Sequence, residues 1–243
     1  PFIQEAADAR GGHRLGHFAL VDAMYRDGFF DPLSQLVMGQ TAEVLARQYR
    51  ITREESDEFA LGSQHKAEAA IAAGRFVEEI TPAAGQDARG KPVELTIDEH
   101  PRAGATIESL RKLPLVFEPV DGMPGIITAG TSSGITDGGA AIVLGDEAVA
   151  RERGLTPMAR IVGWATTGVD PRVMGIGPVP AVRKLLARTG LKLDDFDLVE
   201  LNEAFAPQVL AVLRDLPIDL GKYPEIPEVF RTARGLVIRD AAR

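Results

Sequence analysis

Ile126-Ile127-Thr128-Ala129-Gly130-Thr131-Ser132-Ser133-Gly134, then Asp137-Gly138-Gly139 and the apolar run from Ala140 to Leu144, is the stretch on which the fold turns. Ile126 to Thr128 reads as a short apolar strand feeding a loop of small residues. Ala140 to Leu144 has no polar alternation, as in a strand buried on both faces. Downstream, a helix is expected over 146–153, ended by Gly154, then a strand over 158–166. A helix from Pro180 to Arg188, ended by Gly190, leads to a strand from Phe196 to Leu201 and a helix from Glu203 to Leu213. Alternation of this kind predicts an α/β fold with helices layered over a sheet.

Upstream, Gly11 to Gly16 reads as a loop. Leu15, Phe18, Val21, Met24 and Tyr25 recur at helical spacing up to Gly28, and Asp31-Pro32 is a break. A helix over 40–49 shows Ala42, Leu45, Ala46 and Tyr49 on one face. Thr52 with Glu55 three residues on is a capping-box pattern opening the longest helix, which Gly74 closes. Residues 76–80 and 92–97 are expected as short strands and 107–113 as a short helix. Residues 217–243 differ, because Pro217, Pro224 and Pro227 interrupt them and only 228–238 has the pattern of a short element.

The 243 residues carry 27 Lys plus Arg against 35 Asp plus Glu, a net charge of −8. That balance argues against binding a phosphate backbone, so no nucleic-acid partner is expected. No apolar run approaches the roughly 18 residues of a membrane span, and the start lacks the pattern of a signal peptide. With Pro1 first, further sequence upstream is expected. The chain has no cysteine, so it offers neither a thiolate ligand nor a thiolate nucleophile. His13, His17, His65 and His100 lack ligand spacing, and no metal site is expected.

Three loops carry the candidate chemistry. Thr128 to Gly139 can bring backbone N–H groups close to a ligand, or serve only as a tight connection. Asn202-Glu203-Ala204-Phe205 follows a strand and opens a helix. Asn202 can cap that helix, or hold a water or donate to a developing oxyanion, and Glu203 can complement the helix dipole. Val169-Asp170-Pro171 through Met174-Gly175-Ile176-Gly177-Pro178 is either a rigid connector or a binding loop beside the other two.

Taken in order, these loops resemble the thiolase family of acyl-CoA acyltransferases. The similarity runs from about Gly11 to about Leu216. It includes Met38-Gly39-Gln40-Thr41-Ala42-Glu43, Phe59-Ala60 with Ser63-Gln64, Gly74-Arg75-Phe76, Thr128-Ala129-Gly130 with Ser133-Gly134, Asp137-Gly138, Gly168-Val169-Asp170-Pro171, Met174-Gly175 with Gly177-Pro178, and Asn202-Glu203-Ala204-Phe205.

The resemblance implies a layered α/β/α/β/α fold of two similar halves, with a loop domain over coenzyme A. Residues 1–121 would then end the first half and hold much of the loop domain. Residues 122–216 would finish that half and begin the second, leaving 217–243 as an atypical tail. The family cleaves 3-oxoacyl-CoA by thiolysis, or runs the reverse Claisen condensation, through a cysteine nucleophile and a second cysteine as acid/base. Coenzyme A is substrate rather than resident cofactor. The complete protein is expected to be a cytoplasmic homo-oligomer, dimer or tetramer.

Residue by residue, the resemblance assigns Arg102 and Ser109 to coenzyme A. It assigns Phe117, Ala129 and Ser133 to the pantetheine tunnel, and Met38, Met174, Ala204 and Phe205 to the acyl end. Asn202 and Glu203 become the catalytic candidates, Asn202 as the residue that positions an oxyanion-hole water. The pattern departs from the family at Thr131, where Asn is usual, and at Val37, where some members have His. The nucleophilic cysteine is expected upstream of Pro1. The family's Gly-His-Pro motif and second cysteine are expected after Leu216, and residues 217–243 contain neither. A non-catalytic acyl-CoA-binding or interaction subunit is the alternative reading.

Overall fold

The computed structural model describes residues 2–4, 10–12, 15–78, 80–87, 89–136 and 141–218. Its centre is helical. Helix α1 (Met38–Gln48) and helix α2 (Arg53–Ala72) follow one another across a tight turn. The Thr52 capping box forms as the sequence predicts: Glu55 N donates to Thr52 Oγ1 at 3.1 Å, and Thr52 N to Glu55 Oε2 at 2.8 Å. Helices α3 (Ile107–Arg111) and α4 (Glu147–Glu152) are short. Helix α5 (Pro178–Thr189) ends at Gly190, whose φ of 75° is the left-handed cap the sequence marks. Helix α6 (Ala206–Asp215) closes the described chain.

The core forms where α1, α6 and the tight turn Pro171–Ile176 meet. Leu45, Ala46, Ile51 and Ala211 are buried together, with Ile126, Val173 and Ile176 packed against them. A second cluster joins Val179, Val212 and Leu216 to Leu193 and Leu201. Polar clamps hold the wedge. The Glu43 carboxylate accepts from Ile126 N at 2.8 Å and Ile127 N at 2.8 Å. A Cβ at Gly125 would fall on that carboxyl group, so glycine there is a condition of the clamp. Burial raises the Glu43 pKa above its usual value against the opposing pull of the two N–H groups. Arg53 bonds Asp57 on its own helix at 2.8 Å and reaches the Leu110 carbonyl at 2.8 Å, tying α2 to α3.

Sheet structure among the described residues is confined to three antiparallel pairs. β1 (Phe2–Ile3) pairs with β2 (Val21–Asp22), and β3 (Phe30–Asp31) with β4 (Leu36–Val37). β5 (Ala83–Gln86) runs against β6 (Pro92–Leu95) in the register Ala83 to Leu95 and Gln86 to Pro92.

Several local expectations fail for one reason, the absence of a packing partner. The helix read from Leu15 to Gly28 is instead coil, β2 and a π-helical turn, Met24–Phe29. Leu15 stands 93% exposed and Phe18 51%, so its apolar stripe has no surface to bury against, and helical spacing alone does not hold a helix in water. Residues 76–78 form a turn rather than a strand, with Ile80 N bonded to Phe76 O at 3.0 Å. The runs 126–128, 141–144, 158–166 and 196–201 carry no strand ladder. The first is tied only by a bridge from Leu115 to Thr128 and by Val116 N bonded to Ile127 O at 3.1 Å. Asp137 to Ala140 lie outside the described residues, as do 219–243 and His13.

Candidate active site

Three segments distant in sequence enclose a cavity of ≈ 220 Å³. The first turns of α1 bring Met38, Thr41 and Ala42. The turn 171–176 and the start of α5 bring Met174, Gly175 and Pro178. The segment before α6 and its first turn bring Leu201, Asn202, Ala204, Phe205 and Gln208. Of the sequence candidates, Met38, Met174, Asn202, Ala204 and Phe205 therefore share one site.

The local backbone explains the placement. α1 starts after the extended Val37, whose N–H donates to Gln40 Oε1 at 3.0 Å. The Thr41 hydroxyl donates to the Met38 carbonyl at 2.7 Å and so turns away from the cavity. Asp170 caps the next turn by accepting from Arg172 N at 2.9 Å, which fixes the approach of Met174.

The helix after Asn202 starts later than its sequence suggests. The residue before its first turn is Phe205, not Asn202. Ser133 N donates to Ala204 O at 2.9 Å, and Ser132 bridges Phe205. That pairing holds 202–205 extended against the small-residue loop, and Pro207 in the first turn suits the later start. Asn202 is consequently an exposed amide at the cavity rim rather than a cap.

The remaining candidates spread outward. The Phe117 ring meets Phe205 edge-on, with centroids 5.9 Å apart and planes at 76°. It also lies over Gly39 so closely that a Cβ there would fall inside the ring. Ala129 opens the single 3-10 turn Ala129–Thr131 leading to Ser133. Glu203 is turned from the cavity, its Oε2 accepting from Ser63 Oγ on α2 at 2.7 Å. Arg102 sits in an exposed loop, its N–H bonded to Gln64 Oε1 at 2.9 Å and its guanidinium to Glu99 O at 3.2 Å. The Ser109 hydroxyl caps α3 by donating to Thr106 O at 2.6 Å. Arg102 and Ser109 are not among the residues lining the cavity. Sequence reasoning did not single out Gln208. Its signal was a polar residue on the face of α6 that buries Val209, Ala211 and Val212.

Chemically the site is an apolar pocket of thioethers and one aromatic ring, with two amides and a backbone loop at its edge. Such a pocket takes an alkyl or acyl group and offers N–H donors to its carbonyl. No group of three metal-ligating side chains occurs among the described residues. None of their helices is long and apolar enough to cross a membrane.

Family comparison agrees with this geometry. The family models for the thiolase N-terminal and C-terminal domains match residues 3–148 and 155–225. The chain is 49% identical over 213 residues to an acetyl-CoA acetyltransferase of Rhizobium meliloti, covering 88% of this chain and 53% of that protein. It is 46% identical over 222 residues to one from Escherichia coli, covering 91% and 55%. It superposes on the Bacillus anthracis acetyl-CoA acetyltransferase with a TM-score of 0.80 at 45% identity, covering 92% of this chain and 55% of that one. Against human mitochondrial 3-ketoacyl-CoA thiolase in complex with CoA the TM-score is 0.79 at 40% identity, covering 98% and 56%. The chain thus spans about half the length of the relatives it matches, and along that half its backbone follows their layered α/β fold. The chain belongs to the thiolase family.

Proposed function

We propose that this polypeptide is the acyl-CoA-binding part of a thiolase-type acyl-CoA C-acyltransferase, acting in thiolysis of 3-oxoacyl-CoA or the reverse condensation. The supporting observation is the convergence of Met38, Met174, Asn202 and Phe205, from three separate segments, on one apolar cavity. In this reading Met38, Met174, Ala204 and Phe205 hold the acyl end, and Phe117, Ala129 and Ser133 flank the pantetheine arm. Arg102 suits a coenzyme A phosphate, because its planar fork offers fixed donors to an anion, and Ser109 stands on the same cover. Asn202 orients a water toward the substrate carbonyl. Glu203, bonded to Ser63, is a positioning residue that ties the Asn202 segment to α2. Coenzyme A is substrate, no resident cofactor is required, and the complete enzyme assembles as a homo-oligomer.

Acyl transfer in this reading needs a thiolate, and the 243 residues contain no cysteine. The chain alone is therefore expected to bind and not to turn over. That same feature favours a second reading, a non-catalytic acyl-CoA-binding subunit. Titration of the purified chain with coenzyme A and acetyl-CoA, alongside an acetoacetyl-CoA thiolysis assay, tests both. Saturable binding without turnover is expected. Turnover above the buffer rate overturns the assignment of catalysis to groups outside this chain, and absence of any binding overturns the acyl-CoA reading itself.

A further inference from the structure

Gln208 is a cavity residue with one half of its amide used and the other half unmatched. It is 7% exposed. Its Nε2 donates to the Gly175 carbonyl at 2.9 Å, across the interface between α6 and the turn 171–176. Its Oε1 is buried and has no hydrogen-bond partner. Turning the amide over does not relieve this, because Oε1 would then face the Gly175 carbonyl, acceptor against acceptor. Nor do the neighbours supply a donor. Met38, Met174, Leu201 and Phe205 have no N–H or O–H in their side chains, and the Thr41 hydroxyl is already given to Met38 O. The glutamine Cγ lies 2.6 Å from where a Cβ on Gly175 would stand, so glycine at 175 allows this amide to reach the wall.

A buried acceptor without a donor is costly, and the cost is removed when an occupant brings the donor. We propose that Gln208 is a specificity-determining residue of the acyl end. Its Oε1 accepts a hydrogen bond from a hydroxyl on the bound acyl chain, or from a water enclosed beside a short one. The cavity then discriminates against an unsubstituted alkyl chain long enough to displace that water. This rests on the acyl-CoA reading, and it adds a polarity preference that the apolar lining alone would not give.

The test is calorimetric titration of the full chain and of Gln208→Met, which keeps the side-chain length and removes both amide functions. The titrants are free coenzyme A, butyryl-CoA with 4-hydroxybutyryl-CoA, and hexanoyl-CoA with 6-hydroxyhexanoyl-CoA. In the parent, the hydroxyacyl thioester is expected to bind about tenfold more tightly than its alkyl counterpart at one of the two lengths. In Gln208→Met the two should bind within twofold of each other. Equal binding of both pairs by the parent, with coenzyme A still bound, overturns the role of Gln208 and leaves the acyl-CoA reading standing. A hydroxyl preference that persists in Gln208→Met overturns it equally. If the variant does not fold, the parent's ratios alone decide. A parent that binds neither coenzyme A nor any thioester overturns both readings together.

Discussion

The wedge around α1 and α6 and the extended runs at 141–144 and 158–164 are made of similar residues with opposite fates. In the wedge, Leu45, Ile127, Val179 and Val212 are all at most 1% exposed. In the extended runs, Val143 is 98% exposed, Ile142 82%, Met158 81% and Trp164 69%. Hydrophobicity does not separate the two. The wedge consists of elements that find each other within the chain, helix against helix and turn against both. The runs carry strand-type sequence with no ladder partner among the described residues. Burial is thus a property of pairs of elements, and an apolar run states only that it needs a partner.

The comparison is easiest to break at Leu45, which is fully buried between Ile51, Ala211 and their neighbours. Leu45→Ala removes methyl groups from a site that collapses poorly, and a loss of about 3–5 kcal/mol is expected in urea unfolding. A loss below about 1 kcal/mol would mean that the wedge is loosely packed in solution and no different in kind from the extended runs.

Gly39→Ala comes next. The new Cβ would enter the Phe117 ring, which must move and so leave its edge contact with Phe205. A destabilisation of about 1–3 kcal/mol is expected, together with weaker acyl-CoA binding, because Phe205 lines the cavity. Unchanged stability with unchanged binding would show that the ring is not part of the wall.

Glu43 sharpens the comparison through pH. Its folded-state pKa is raised above the ordinary carboxylate value by burial. A raised pKa means that the folded chain holds the proton more firmly than the unfolded chain. The resulting stabilisation is present below the unfolded pKa and is lost as pH rises through the folded one. Glu43→Gln removes this dependence, so the stability of the parent relative to the variant should fall across that window. Urea midpoints of both proteins between pH 4 and 8 measure it. A difference that grows with pH would mean that the bonds from Ile126 and Ile127 outweigh desolvation.

These particulars also show what the sequence carried. Helix ends set by local chemistry were legible, as with Thr52 and Glu55 opening α2 and Gly190 closing α5, because a cap is decided by a few adjacent residues. The cavity's apolar members were legible through family motifs. Three things were not. The stripe from Leu15 to Tyr25 had helical spacing but no surface to bury on. Asn202 had a capping residue's chemistry, yet the bond from Ser133 to Ala204 keeps its segment extended, a contact across some seventy residues that local reading does not reach. Gln208 was hidden because a buried amide is recognised only by what surrounds it.

The smallest expected effect on stability lies in the extended runs. At Val143, where almost the whole side chain is in water, there is no packing to lose. Val143→Lys should change the unfolding free energy of the isolated chain by less than about 0.5 kcal/mol. The same charge should matter to association. Ile142, Val143 and Leu144 present exposed apolar side chains on a backbone without ladder bonds, which is the character of an edge that pairs between molecules. Self-association of the parent, followed by sedimentation over a concentration series, should therefore weaken in Val143→Lys while the unfolding midpoint at low concentration stays in place. A midpoint lowered by more than about 1 kcal/mol even at high dilution would show that Val143 is buried within the single chain. The two regions would then differ in degree of burial, and the contrast drawn between them would fail.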